Sequence, residues 1–341
     1  MKAAFLNGPY DVRIDDVPVP RIGAGEVLVE MKACGVCGTD IEKIQGKFIT
    51  PPKLGHEVAG KVIETGKDVT SIQAGDRAFV HHHVPCHTCH YCRRGDLTMC
   101  EEFIRTNLDP CGLAEYFRVP DPNVRRGAVL KLPDNVSFET GTLVEPVGCC
   151  IRGLSKTRLE FGDDVLVIGA GPIGLIMVDL LRLRSPRTVT VSEPVDYRLK
   201  AAKKFGADHL VNPKEEDVRE RVLEITEGRG VDLVVVAVGS AKVTAKGIDC
   251  ARKGGRVLQF GAPPKGDILS TDLSKLFIHE VAIVPSYSTS EIETTAALRL
   301  IEQGKVNVHK LITHTFPLTE TLKAIRYAEE GKDALKVMIK P

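Results

Sequence analysis

The rhythm of apolar and polar positions changes once along the chain, near Cys149. Ahead of that point the pattern is one of short strands separated by turn residues. Val12-Arg13-Ile14, Glu26-Val27-Leu28-Val29-Glu30 and Gly60-Lys61-Val62-Ile63-Glu64 alternate or run apolar, with Pro and Gly clusters between them. Helical periodicity is scarce there. From Asp163 onward, apolar runs of strand length alternate with helix-like segments. Strands are predicted at Asp164–Ile168, Thr188–Ser192, His209–Val211, Val231–Val238, Arg256–Phe260 and Val281–Val284. Helices are predicted between them at Ile173–Arg184, Tyr197–Phe205 and Val218–Glu227. Such alternation implies an α/β domain with a parallel sheet covered on both faces, and six strands suit a doubly wound nucleotide-binding fold. Beyond about Ser286 the pattern returns to helices and short strands, at Thr294–Gln303, Thr319–Glu330 and Leu335–Ile339, expected to pack back onto the first domain. The expected division is 1–148, 149–286 and 287–341.

Composition narrows the class. With 341 residues the chain exceeds one ordinary domain, and two is the default. At 43% apolar and 27% charged it has the make-up of a soluble globular protein. Forty-six basic against 45 acidic side chains leave a net charge of +1, without the electrostatic footprint of a nucleic-acid binder. The longest apolar runs, such as Leu233–Val238, are strand-sized, so no membrane span is expected. The opening MKAAFLNGPY is too short in apolar residues for a secretory signal, which implies a cytoplasmic protein. In that reducing compartment ten cysteines point away from disulfides and toward metal.

Gly169-Ala170-Gly171-Pro172-Ile173-Gly174 is a complete G-x-G-x-x-G that follows a predicted strand and opens a predicted helix. The first Gly makes the tight turn, the second admits the pyrophosphate, and the third permits close helix–sheet packing. A Gly-rich turn without a ligand is the plain alternative. Glu193 ends the second strand, 19 residues beyond Gly174, where an acidic side chain accepts hydrogen bonds from the adenosine ribose. It would also repel the extra phosphate of NADP, so NAD is the expected cofactor, although Arg198 nearby could serve either.

Cys86, Cys89, Cys92 and Cys100 form C-x2-C-x2-C-x7-C, a spacing that lets four thiolates close around one tetrahedral zinc. A four-cysteine shell leaves no open position, so this zinc would be structural. A ferredoxin run would place its fourth Cys after three residues rather than seven. Cys37, His56-Glu57 and Glu145 form a more dispersed set. Each alone reads equally as a buried thiol, a core imidazole or a paired carboxylate, and Cys34-x-x-Cys37 leaves a thiol–disulfide pair open.

Taken in order, Cys37-Gly38-Thr39-Asp40, Gly55-His56-Glu57, the four-cysteine lobe (about 81–112) and Gly169–Gly174 resemble the zinc-dependent medium-chain dehydrogenase/reductase family, over essentially the whole chain. The resemblance implies a GroES-like, mostly-β catalytic domain built from both chain ends, a Rossmann domain inserted between them, and an active site in the cleft. It implies two zinc ions per subunit. Cys37 and His56 would ligate the catalytic one, with Glu57 able to bind or leave it and Glu145 at a further ligand position. Thr39 matches the hydroxyl that begins the proton relay; Glu193 and Arg198 match the ribose contacts; Phe260, Gly261, Ser286 and Tyr287 fall where nicotinamide-side contacts lie. The implied reaction is hydride transfer between a secondary alcohol or polyol of sorbitol type and NAD, giving a ketone.

Three features depart from the pattern. The segment from Cys37 to His56 is short, Glu42 stands where many relatives have histidine, and His81-His82-His83 precedes the lobe. Glu145 and His83 also resemble threonine dehydrogenases, so L-threonine 3-dehydrogenase and a general alcohol dehydrogenase are the alternatives, with a non-catalytic nucleotide-binding relative as a different class. The last strand of the sheet is an edge that relatives pair across a two-fold axis, which implies a homodimer or homotetramer.

Overall fold

The computed structural model describes residues 1–47 and 53–341. It divides into two compact units, Met1–Gly148 with Thr289–Pro341, and Cys149–Ser288.

The first unit is built on strands. Lys2–Gly8 and Asp11–Asp16 form an antiparallel hairpin. A larger sheet runs in the order Ile312–Pro317, Lys336–Lys340, Val27–Gly35, Glu57–Thr65, Arg77–Val80 and Val129–Lys131, with Tyr116–Val119 also paired to Val27–Gly35. The central strand Val27–Gly35 is buried along most of its length, and Val29, Met31, Val58, Val62, Phe117 and Ile339 pack into one core around it. Register places Gly35 opposite both Glu57 and Met338. C-terminal residues are thereby delivered beside the strand that leads to Cys37.

The second unit holds six parallel strands: β1 (Asp164–Ile168), β2 (Thr188–Ser192), β3 (His209–Val211), β4 (Val231–Val236), β5 (Ala251–Gln259) and β6 (Ala282–Pro285). Their spatial order is 3-2-1-4-5-6, the doubly wound arrangement whose order reverses beside β1. Helices α1 (Pro172–Arg182), α2 (Asp196–Lys204), α3 (Val218–Ile225), α4 (Ala241–Ile248) and α5 (Leu273–His279) provide the crossovers.

The sequence pattern omits α4 and α5. The first is eight residues long and carries two lysines, a threonine and a glycine. The second turns Leu273, Phe277 and Ile278 outward and packs only Leu276 of its large apolar side chains against the sheet, too little to show as a helical stripe. Strand β5 begins five residues before its predicted start, through the polar Ala251–Gly255. Among the described residues no helix is long and apolar enough to cross a membrane.

Candidate metal and nucleotide sites

In the first unit, ligand atoms of Cys37, His56 and Glu57 lie within 4.8 Å of one another. Local chain geometry sets each one. Cys37 is the N-cap of helix Gly38–Ile44, and Asp40, at the third helical position, closes a capping box by accepting the Cys37 N–H at 3.1 Å. The other Asp40 oxygen accepts the Gly55 N–H at 3.0 Å and stands 3.8 Å from His56 Nδ1. One buried carboxylate thus ties the segments that carry Cys37 and His56 together. Glu57 opens its strand and pairs with Lys336, both side chains being almost wholly buried. A Cβ on Gly35 would sit 2.2 Å from Glu57 Oε2 and 2.9 Å from Lys336 Cε, so only glycine leaves room for that pair.

The electrostatics suit a cation. Burial alone would lower the pKa of His56, yet the charges of Cys37 and Asp40, with Glu145 adding to them, push it up to about 10. The Lys336 ammonium is likewise disfavoured by burial and held charged chiefly by Glu57 and Cys37. A thiol, an imidazole and a carboxylate converging in such a field match three protein ligands of a zinc centre with a position left open. Glu145, buried in the first turn of helix Val144–Ser155, is near enough for its charge to act on both His56 and Lys336, although it stands apart from the compact trio. Thr39 Oγ1 lies 3.8 Å from Cys37 Sγ. The short stretch between Cys37 and His56 includes residues 48–52, which lie outside the described residues.

The four-cysteine cluster is also compact. Cys89 Sγ and Cys86 Sγ lie 3.5 and 3.9 Å from Cys92 Sγ, and all four sulfurs fall within 4.8 Å of one another. A zinc–sulfur bond of about 2.3 Å implies tetrahedron edges of about 3.8 Å. The Thr88 hydroxyl and N–H, with the Cys89 N–H, bring Cys86 down to about 5. Burial and the Cys89 thiol push Cys92 up to about 12. A divalent cation removes that conflict by holding all four as thiolates. None of the ten cysteines is in a disulfide.

In the second unit Gly169–Gly174 links β1 to α1, with Gly171 as N-cap and Pro172 at the first helical position, while Ile173 continues the turn. A Cβ on Gly174 would come 1.8 Å from the Gly169 carbonyl oxygen, so the close packing requires glycine. Glu193 follows β2, is 4% exposed, and accepts N–H bonds from Ala170 at 2.7 Å and Val195 at 3.0 Å. The carboxylate is therefore fixed against the glycine turn. Arg198 lies in α2 with its Nε enclosed and without a partner. Phe260 and Gly261 follow β5; Ser286 and Tyr287 follow β6, and the Ser286 N–H donates to the Gln259 carbonyl at 3.2 Å.

Two contributors escaped the sequence reading. Asp40 had a local signal, since an acidic residue three beyond an N-cap is a capping-box pattern. Lys336 had a weaker one: it shares a strand face with buried Met338, where a charge needs a partner.

Comparison with known proteins places the chain. The alcohol dehydrogenase GroES-like domain family matches residues 23–134, and the zinc-binding dehydrogenase family matches residues 172–303. The L-threonine 3-dehydrogenase of Pyrococcus abyssi is 35% identical over 336 residues, covering 95% of this chain and 94% of that protein. The chain belongs to the zinc-dependent medium-chain dehydrogenase family. Within this family the sorbitol dehydrogenase of Bacillus subtilis is 30% identical, covering 100% of this chain and 97% of that protein. A Sinorhizobium meliloti structure, described as a zinc-binding dehydrogenase bound to NADP, superposes with a TM-score of 0.89 at 28% identity, covering 100% of this chain and 99% of that one. This medium-chain dehydrogenase is thus an oxidoreductase of alcohols or polyols, with a GroES-like domain and a Rossmann domain.

Proposed function

We propose that the enzyme oxidises secondary alcohols, polyols above all, to ketones with NAD+ in the cytoplasm. The observation that carries this reading is the trio Cys37, His56 and Glu57, whose ligand atoms gather within 4.8 Å of one another. Those residues, with Glu145 as a further ligand, would hold the reactive zinc, and Cys86, Cys89, Cys92 and Cys100 a structural one. Zinc when bound supplies Lewis acidity, worth a drop in hydroxyl pKa from about 15.7 toward about 7, and nicotinamide supplies the hydride acceptor. The chain's own groups do the rest. Asp40 orients His56, and Lys336 sets the position of Glu57. Thr39 Oγ1 accepts the substrate's hydroxyl proton and passes its own toward solvent. Gly169–Gly174 receives the pyrophosphate, Glu193 and Arg198 hold the ribose, and Phe260, Gly261, Ser286 and Tyr287 flank the nicotinamide.

NAD is favoured over NADP because Glu193 is anchored and cannot swing away from an added phosphate. A like-charge pair at about 4 Å and effective dielectric 20 costs roughly 4 kcal/mol. Screening reduces this to about 1–2 kcal/mol, still roughly a tenfold preference. A second reading, oxidation of L-threonine, is favoured by the identity to the Pyrococcus enzyme. In that reading His83, whose Nδ1 lies 2.6 Å from the Thr106 carbonyl, would meet the substrate through Nε2.

The test is NAD+ reduction by zinc-replete protein across sorbitol, xylitol, a vicinal diol, 2-propanol, ethanol and L-threonine, with NADP+ in parallel. Polyol turnover with NAD+ is expected, and Cys37→Ala should abolish it while nucleotide binding persists. Threonine alone turning over would establish the second reading; full activity in Cys37→Ala would overturn both.

A further inference from the structure

The three consecutive histidines have no part in the chemistry above, yet the fold fixes them beside it. The His81 N–H donates to the Ala128 carbonyl at 2.9 Å. The buried Asn123 amide donates to the carbonyls of both His81 and His82, at 3.1 and 3.0 Å. Downstream, the Val84 N–H donates to Thr106 Oγ1 at 3.0 Å. Pinned on both flanks, the segment presents its side chains in set directions.

The three rings then divide. His81 is fully buried beside Phe103, with both nitrogens enclosed, and fills core. His83 packs on Phe103 and spends its Nδ1 on Thr106. His82 differs. Its ring centroid lies 5.0 Å from that of His56 and 3.9 Å from that of His83. Of its two nitrogens only Nδ1 is enclosed. Nε2 is not enclosed, and the ring packs against that of His56, a candidate ligand of the reactive metal.

We propose that His82 Nε2 hydrogen-bonds a second substrate hydroxyl, vicinal to the one oxidised, so that this residue selects diols and polyols over simple alcohols. The inference rests on the alcohol-oxidising function argued above and narrows its substrate class. The chemistry favours a hydroxyl. An imidazole nitrogen donates or accepts according to tautomer, and a hydroxyl answers either role. A carboxylate could only accept, and an ammonium could only donate. The two oxygens of a vicinal diol also lie close together, which suits a hydrogen-bonding group next to a metal ligand. A monohydroxy alcohol would leave the nitrogen unanswered, the situation in which a polar site rejects an analogue.

The experiment compares (2R,3R)-butanediol with 2-butanol in the zinc-loaded wild type, His82→Phe and His82→Gln. His82→Phe should lower the diol-to-2-butanol ratio of kcat/KM by about tenfold to a hundredfold, chiefly through KM for the diol. His82→Gln, which keeps a hydrogen-bonding side chain, should recover part of it. Calorimetric titration of the diol into the enzyme–NADH complex, where no hydride can move, should show weakening of similar size with metal content at two zinc per chain. An unchanged ratio would overturn the proposal. So would loss of one zinc in His82→Phe, which would make His82 a metal ligand instead. A wild type that oxidises neither alcohol fails the function argued above and this inference with it. A wild type that oxidises both, with a ratio unmoved by His82→Phe, fails this inference alone.

Discussion

At the scale of single residues, Asp40 concentrates the most consequence in the fewest atoms. Its two oxygens accept the Cys37 N–H and the Gly55 N–H, and one of them stands 3.8 Å from His56 Nδ1, so one side chain couples two candidate ligands separated by 19 positions in sequence. Asp40→Asn keeps the shape but puts an amide donor where two backbone N–H groups each take an oxygen, and it removes the charge beside His56. Zinc affinity or kcat/KM should fall by about 10- to 100-fold, the usual cost of disturbing a group that orients a metal ligand. Zinc analysis beside steady-state kinetics checks this. Fully retained metal and activity would remove Asp40 from the machinery. The Glu57–Lys336 pair shows where sequence falls short at this scale. Glu57 sits next to His56 and is legible as a candidate. Its counter-ion comes from the far end of the chain, and only the antiparallel pairing of Gly35 with Met338 brings it within reach.

At the scale of elements, legibility follows how local the cause is. The glycine turn between β1 and α1 and the four-cysteine run each carry their reason within a few residues, and both stand in the structure as closed, compact features. Helix α5 does not. It is required by the crossover from β5 to β6, a property of the sheet, while three of its four large apolar side chains point outward and only Leu276 packs on the sheet. The cysteine lobe also stands on little besides its metal site. Its apolar cluster is Leu97 and Phe103 with the buried thiols Cys92 and Cys100. A core this small cannot hold a loop-rich segment alone, so zinc would supply most of its folding energy. Cys100→Ser should therefore lower the zinc content by one equivalent while sparing the other. It should also open residues 86–105 to limited proteolysis and lower Tm by several degrees. Protease resistance and an unshifted Tm in the zinc-deficient variant would show that the lobe folds without metal.

At the scale of the whole molecule, the unanswered feature is one edge of the Rossmann sheet. Strand β6 pairs with β5 on one side and, among the described residues, with nothing on the other. Beside it α5 exposes Leu273, Phe277 and Ile278, at 76%, 82% and 71%. An open edge flanked by large exposed apolar side chains is an association hazard for a monomer. It becomes an asset when a two-fold axis sets the edge against its own copy, because one self-complementary surface then closes the assembly. We therefore propose a homodimer, or a tetramer built on that dimer. Light scattering on the purified enzyme should give at least twice the chain mass. Phe277→Glu, which would bury a charge at the interface, should shift it to the monomer. Phe161→Glu is the control, an equally exposed aromatic replaced elsewhere in the same unit, and should leave the mass unchanged. A monomeric wild type, or a Phe277→Glu variant that keeps its mass, would show that this edge is left to solvent and that the outward face of α5 has another purpose.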